Sequence, residues 1–379
     1  MNEKEIAEIR RRFRPDRNNI ARIRGCYVNE QGEIVSEFNQ PLVSMSQEES
    51  EELLAILKKT LSGAIGKNLI NMEFATKQVV EGEEHKLLMA LRNSALGEED
   101  AVRDFYGRVT RSLSMEGDYL ILLAFDKYDV PSYAKDGEKQ DDSSEVFSYF
   151  LCSVCPVRQT KPALGYFVPE NAFRSVTAGW VVSAPELGFL FPAFDDRSAN
   201  IYSAVYYTRN TAENHPEFTD AVFRTKPPMP AAEQKETFQS ILGDTVADDC
   251  NLEVMQAVHG QLSGMIEEHK ANKEEEPLTL SKKTFGEVLT SCGVPDSRVT
   301  AFEERYDADF GAGAEISPRN LVEPKQFEVR TPDVTIRVNP ERGDLIETRV
   351  IDGAKYILIR ADEGVEVNGV NISISESHT

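Results

Sequence analysis

DYLILLAFD, residues 118–126, and VFSYFLCSVCPV, residues 146–157, decide the fold. The first is buried-strand-like in its continuous apolar character, the second reads as another core strand, and both are far too short to span a bilayer. Between them PSYAKDGEKQDDSSE, residues 131–145, has almost nothing to bury. The pair therefore reads as a central hairpin with a long, mobile, acidic tip.

On the N-terminal side, Ile6, Ile9 and Phe13 form one helical stripe over 3–14, which Pro15 ends because the residue before proline disfavours helical geometry. IARIRGCYV and EIVSEF then read as a hairpin turning at NEQG, 29–32. Ser46 with Glu49 three residues on is a capping-box spacing, predicting a helix to about Lys59. NLINMEF, 68–74, reads as a strand, and 80–94 and 98–113 as helices. On the C-terminal side, 158–210 stays rich in strand formers and aromatics, and RTKPPMPAAEQ, 224–234, reads as a linker. Helical periodicity follows, with Leu252, Met255, His259, Leu262 and Ile266 on one stripe and two further helices over 281–294 and 295–310. From 326 the alternation has period two, with turns at ERGD, DGAK and VNGV.

These elements compose an α+β protein. A mixed, mainly antiparallel sheet with flanking helices is expected over 1–225, a helical segment over 231–322, and a small antiparallel β module of four or five strands over 324–375.

The composition, 40% hydrophobic and 28% charged over 379 residues, is that of a soluble globular chain. MNEKEIAEIRRR lacks the apolar stretch of a signal peptide, and Cys26, Cys152, Cys155, Cys250 and Cys292 do not form a secreted disulfide framework. A cytoplasmic protein with reduced thiols and no membrane association is expected. The net charge of -22 argues against broad affinity for polyphosphate.

That charge is uneven. Arg10, Arg11, Arg12, Arg14, Arg17, Arg22 and Arg24 gather against Asp16 alone, +6 over residues 10–24 and hence -28 elsewhere. Arginine's planar fork suits phosphate and carboxylate equally. The cluster is thus a candidate anion or nucleic-acid site, or a set of partners for the chain's own acids.

Other motifs carry less. CSVC, 152–155, sits inside a strand, where positions three apart face opposite ways, and no second CxxC or HxxxH completes a zinc set. GAIGKN, 63–68, would need Gly at 61 and Ser or Thr at 68 to be a phosphate loop; Leu61 and Asn68 stand there, so it reads as a turn. His85 and His215 have no sequence-near catalytic partners, and His259, on the apolar stripe of its helix, reads as a core or interface histidine. Pro332-Asp333 and Glu347 resemble half of a metal-dependent nuclease constellation, but Arg349 takes the place of its lysine and cannot serve as a base. Tyr202, Tyr206 and Tyr207 beside Arg209 suggest a base-stacking platform, yet Tyr206 and Tyr207 must face opposite ways. No cofactor is expected.

FRPDRNNIARIRGCYVNEQGEIVSEFNQPL, 13–42, and GWVVSAPELGFLFPAFDDRSANIYSAVYYTRN, 179–210, resemble a family of unknown function from Gram-positive, largely gut-dwelling bacteria. The resemblance covers most of the chain and implies a bacterial cytoplasmic protein, without an activity to transfer. The order of elements is also similar to that of the bacterial nucleoid-associated protein family: a two-strand apolar middle, a helical stretch ending FEERYDADF, and a short β tail.

The leading expectation is a non-enzymatic binding or regulatory protein acting on a protein partner or by self-association. Its alternatives are a nucleic-acid binder using the arginines and, more distantly, a metal-dependent nuclease. The first requires a large uncharged apolar surface or a stable oligomer. The second requires Arg10, Arg14, Arg22 and Arg24 on one exposed face. The third requires Asp333, Glu347 and another acid within reach of one metal.

Overall fold

The computed structural model describes residues 1–131, 145–246, 251–272, 274, 276–361 and 364–373. The acidic tip expected over 131–145 lies, but for its two end residues, outside the described residues, as does Cys250. The chain divides into two compact units, Met1–Ala232 with Glu275–Pro277, and Glu233–Glu274 with Leu278–Thr379. The expected C-terminal β module falls in the second, as does the expected helical segment but for residues 231–232 and 275–277. Among the described residues no helix is long and apolar enough to cross a membrane.

The first unit begins with α1 (Glu3–Arg10), whose Asn2 side chain accepts the Glu5 N–H while the Glu5 carboxylate accepts the Asn2 N–H. The helix ends at Arg10, earlier than its apolar stripe predicts. Arg14, restricted by Pro15, lies in a tight turn instead, its N–H on the Arg12 carbonyl at 2.7 Å. Next come β1 (Arg22–Val28), β2 (Ile34–Pro41) and α2 (Gln47–Lys58). The Ser46–Glu49 capping box opens α2 as its spacing predicts. After β3 (Leu69–Glu73) comes a short α3 (Thr76–Glu81), and the helix expected over 80–94 starts after it as α4 (Glu83–Asn93), because Gly82 between them is extended, with ψ 129°. α5 (Glu99–Ser112) follows.

The two deciding stretches become β4 (Tyr119–Val130) and β5 (Glu145–Gln159), antiparallel from Tyr119↔Pro156 to Val130↔Glu145. β6 (Ala163–Phe167), β7 (Ala172–Val176), β8 (Trp180–Val182), β9 (Leu187–Phe191), β10 (Ala193–Asp195), β11 (Ser198–Asn200), β12 (Ser203–Thr208) and α6 (Pro216–Phe223) complete the unit. The main sheet runs β2-β1-β4-β5-β9-β12-β3, with every neighbouring pair antiparallel. It is covered on both faces. One face packs Cys26, Ile121, Leu123 and Phe189 against Leu88, Phe105 and Phe218 of α4, α5 and α6. The other packs Ile23, Leu122, Ala124 and Tyr149 against Ile6, Ile9, Leu54 and Leu57 of α1 and α2. Burial on both faces is why β4 and β5 are apolar at successive positions, as at 120–125 and 150–152, rather than at alternate ones.

In the second unit α7 (Ala231–Val246), α8 (Leu252–Asn272), α9 (Lys282–Ser291) and α10 (Asp296–Phe310) bury Phe238, Leu262, Phe285, Leu289, Phe302 and Tyr306 together. A short ladder pairs β13 (Leu280–Ser281) with β14 (Glu315–Ile316), and α11 (Pro318–Leu321) follows. The C-terminal strands form three separate two-stranded ladders: β15 (Phe327–Arg330) with β16 (Thr335–Val338), β17 (Ile346–Ile351) with β18 (Ala354–Ile359), and β19 (Val365–Val367) with β20 (Val370–Ile372). The expected module of four or five strands is thus a set of hairpins, and only Phe327 and Ile346 of these strands are buried. Asp352-Gly353 and Asn368-Gly369 turn the last two with positive φ at both residues, the geometry that two-residue hairpins require.

Candidate functional site

The arginine cluster is divided by the sheet. Arg12 reaches into the α1 face, donating Nε to Asp126 Oδ2 at 3.1 Å and Nη2 to Asp126 Oδ1 at 3.2 Å. Its guanidinium also lies 4.9 Å over the Tyr128 ring. Burial pulls the Arg12 pKa down, but the hydrogen bond and charge of Asp126 more than offset this, so it stands above its ordinary value. Arg24 lies on the opposite face, 6% exposed, donating to the Leu96 carbonyl at 2.7 Å and to Glu99 Oε2 at 2.5 Å. Arg17 pairs with its neighbour Asp16 at 3.7 Å. Among the described residues the side chains of Arg10, Arg11, Arg14 and Arg22 have no hydrogen bond or ion pair; Arg11, Arg14 and Arg22 are exposed and Arg10 half-buried. Arg10, Arg14, Arg22 and Arg24 therefore do not make one exposed face, because Arg24 is committed inside the fold.

The feature that composition alone does not reveal lies between β5 and β9. These strands are adjacent and antiparallel, from Phe150↔Phe191 to Val154↔Leu187, a pairing that a tight turn could close. The chain instead runs out and back as a two-stranded ribbon. β8 extends the end of β5 through Val157↔Val182, Arg158↔Val181 and Gln159↔Trp180. The Thr160 N–H on the Gly179 carbonyl at 2.8 Å, and the Gly179 N–H on Thr160 Oγ1 at 2.9 Å, hold a neck. Beyond it β6 and β7 pair from Ala163↔Val176 to Phe167↔Ala172.

Both faces of this outer hairpin are apolar and wet. Leu164, Tyr166 and Phe173 share one face, the two rings 5.2 Å apart. Phe167 and Val176 share the other with Arg174, whose guanidinium lies 5.8 Å over the Phe167 ring and which pairs with Glu170. Leu164 is 74% exposed, Phe173 70%, Val168 75% and Trp180 59%. From 158 to 181 every residue but half-buried Gly165 and Ala172 is exposed, and no residue of that span belongs to either core. An isolated two-stranded hairpin is marginal in water, so this one lacks the cover that its side chains require.

The model of a family described as a domain of unknown function, DUF4317, matches residues 1–370. The chain belongs to that family. No curated protein matches it. The match takes in the sheet, the ribbon and the first two C-terminal hairpins of this DUF4317 chain, and ends at the start of β20 in the third.

The remaining candidates in the DUF4317 chain are structural. Cys152 and Cys155 are free and buried on opposite faces of β5; burial pushes the Cys155 thiol up to about 12 and Cys152 well above its ordinary value. Tyr206 and Tyr207 likewise enter opposite cores, so no stacking platform forms. GAIGKN turns on Gly63 and Gly66, both at positive φ, and Asn68 Nδ2 donates to the Thr208 carbonyl at 3.0 Å. His85 is buried with Nε2 2.8 Å from the Ile201 carbonyl, between the rings of Phe74 and Phe191. His259 sits 3.1 Å from the Glu323 carbonyl and packs edge-on to Phe327. Asp333 lies in the β15–β16 turn, whereas Glu347 lies in β17 and pairs with Arg349 at 3.0 Å. Among the described residues no group of three or more His, Cys, Asp and Glu is placed to hold a metal ion.

Proposed function

We propose that this protein is a non-enzymatic binding or regulatory protein acting through protein–protein contacts, and that the 158–182 ribbon is its docking element. The observation that carries the reading is the two-sided exposure of Leu164, Tyr166, Phe167, Phe173 and Val176, joined by Val168, Trp180 and Val181. The sheet needs only a turn between β5 and β9, so the excursion serves something outside the two cores. Fully burying one large apolar side chain stabilises by ~1.5–3 kcal/mol. Eight half-covered ones give a gross gain on the order of 10 kcal/mol, comparable with the cost of immobilising a partner. Apolar cover alone is then marginal, and polar complementarity decides which partner binds. A cytoplasmic setting is part of the proposal, supported by Cys26, Cys152, Cys155 and Cys292 all being free thiols.

The test is a photo-crosslinking amino acid installed in the full chain at Phe173 or, as control, at exposed Glu52, and irradiated in the producing cell. A protein adduct at Phe173 that is absent at Glu52 is expected. Equal or absent protein adducts at the two positions overturn the reading. A second reading, phosphate-backbone binding by the N-terminus, is supported by Arg10, Arg11 and Arg14, which no described carboxylate neutralises.

A further inference from the structure

The ribbon is basic as well as apolar. Residues 158–182 hold Arg158, Lys161 and Arg174 against Glu170, +2, which leaves -24 for the rest of a chain at -22. Arg174 is paired with Glu170, and among the described residues Arg158 and Lys161 have no partner.

At one edge of the main sheet β2 has the opposite character. It pairs only with β1, so its outer row of backbone N–H and C=O groups is free to accept another strand. No residue of β2 is fully buried, and Ile34, Val35 and, just beyond, Val43 are exposed. Residues 29–44 carry Glu30, Glu33 and Glu37 and no lysine or arginine, -3 in all. Glu37 is met by Arg103 at 3.6 Å, and Glu33 has only the uncharged Asn29 amide at 3.1 Å. Among the described residues Glu30 and Glu33 are thus carboxylates without a cation. The other edge, β3, is shorter, and Leu69, Ile70 and Met72 are buried there.

We infer that the partner of the ribbon is a second copy of this chain, with the ribbon of one copy lying along the β2 edge of the other. This rests on the reading of the ribbon as a docking element. Like surfaces repel: two β2 edges would oppose carboxylates, and two ribbons would oppose cations. The unlike pairing sets Arg158 and Lys161 against Glu30 and Glu33, covers apolar side chains on both partners, and gives the free edge a strand. Such a contact is heterologous. It closes into a dimer where a two-fold axis makes both contacts at once, and extends into a chain otherwise.

The test uses the intact protein. Its mass is followed by light scattering from nanomolar to high micromolar concentration, alongside the emission of Trp180, the one tryptophan in the sequence. A concentration-dependent rise to two or more copies, with a blue shift of that emission, is expected. Arg158→Glu with Lys161→Glu weakens association at least about tenfold, as opposed charges at an interface rim do. Adding Glu30→Lys and Glu33→Lys to the same chain restores it. All four side chains are exposed, and a thermal melt checks that each variant folds. A chain that stays monomeric throughout, or an oligomer indifferent to Arg158→Glu/Lys161→Glu, overturns the inference. Monomer in solution with Phe173 still crosslinking to a different protein in the cell overturns self-association alone. No protein adduct at Phe173 overturns the docking reading as well.

Discussion

Arg12 and Asp126, 114 positions apart, meet through two hydrogen bonds at 3.1 and 3.2 Å. Asp126 is 1% exposed and also accepts the Asn19 N–H at 2.7 Å and the Tyr149 hydroxyl at 2.9 Å, so its lone pairs are satisfied by four donors. Next to it Tyr128 donates to Glu8, which Arg197 holds at 2.9 Å. The network ties α1 and the chain after it to β4. It accounts for one member of the arginine cluster, and Arg24 with Glu99 accounts for another.

Removing Arg12 leaves a buried carboxylate with two of its donors gone. Arg12→Ala is expected to cost about 3 kcal/mol of stability, near the lower bound for breaking a buried pair because Arg12 keeps some exposure. Arg11→Ala and Arg14→Ala, exposed positions whose side chains have no partner among the described residues, stay within about 0.5 kcal/mol of the parent. Urea unfolding curves of the three variants decide this. Equal midpoints for all three would show that the Arg12–Asp126 pair adds nothing.

Burial raises the Cys26 and Cys155 thiols to about 12 and Cys152 well above its ordinary value. A raised thiol pKa keeps the neutral form, so at pH 8 Cys26 and Cys155 are thiols rather than thiolates. In a Cys250→Ser chain one thiol, half-buried Cys292, should react promptly with a thiol reagent at pH 8, and three only once urea unfolds the protein. Prompt modification of more than one thiol would show that the sheet opens at Cys26, Cys152 or Cys155.

The sheet was legible because β4 and β5 are covered on both faces, and double burial makes successive positions apolar, as at 120–125. The capping box at Ser46 and Glu49 and the turns at Asp352-Gly353 and Asn368-Gly369 were legible for a local reason: each motif satisfies its own backbone. The ribbon was not. Leu164, Tyr166 and Phe173 have the same β-forming character as Leu187, Phe189 and Phe191, and only the register of β5 on β9 shows that the first set is left outside. The C-terminal strands were misjoined for a related reason, since period-two alternation reports strands and not their neighbours. As for the arginines, composition exposes their clustering, but Arg12 and Arg24 find acids in β4 and α5, far along the chain and on opposite faces.

That division sharpens the nucleic-acid test. Fluorescence anisotropy with labelled DNA and RNA should show no binding near physiological salt, because a net -22 surrounds the few unpaired cations. Weak binding at low salt should vanish in Arg10→Glu/Arg11→Glu/Arg14→Glu. Arg12 and Arg24 are left intact in this variant, since replacing either one perturbs the fold. Tight binding that survives the triple change would place any nucleic-acid surface elsewhere.

The ribbon should be separable from the fold it leaves. Gln159 and Trp180 are direct partners across β5 and β8, so replacing residues 160–179 with Asn-Gly joins them by a two-residue hairpin turn of the favoured geometry. Neither core loses a side chain, because none from 158 to 181 belongs to one. The shortened chain is therefore expected to unfold cooperatively at a urea midpoint close to that of the parent, while association between copies is lost. Trp180 remains to report both. A large fall in midpoint would mean that the outer hairpin supports the sheet, and undiminished association would mean that the interface lies on another surface, such as the exposed C-terminal hairpins.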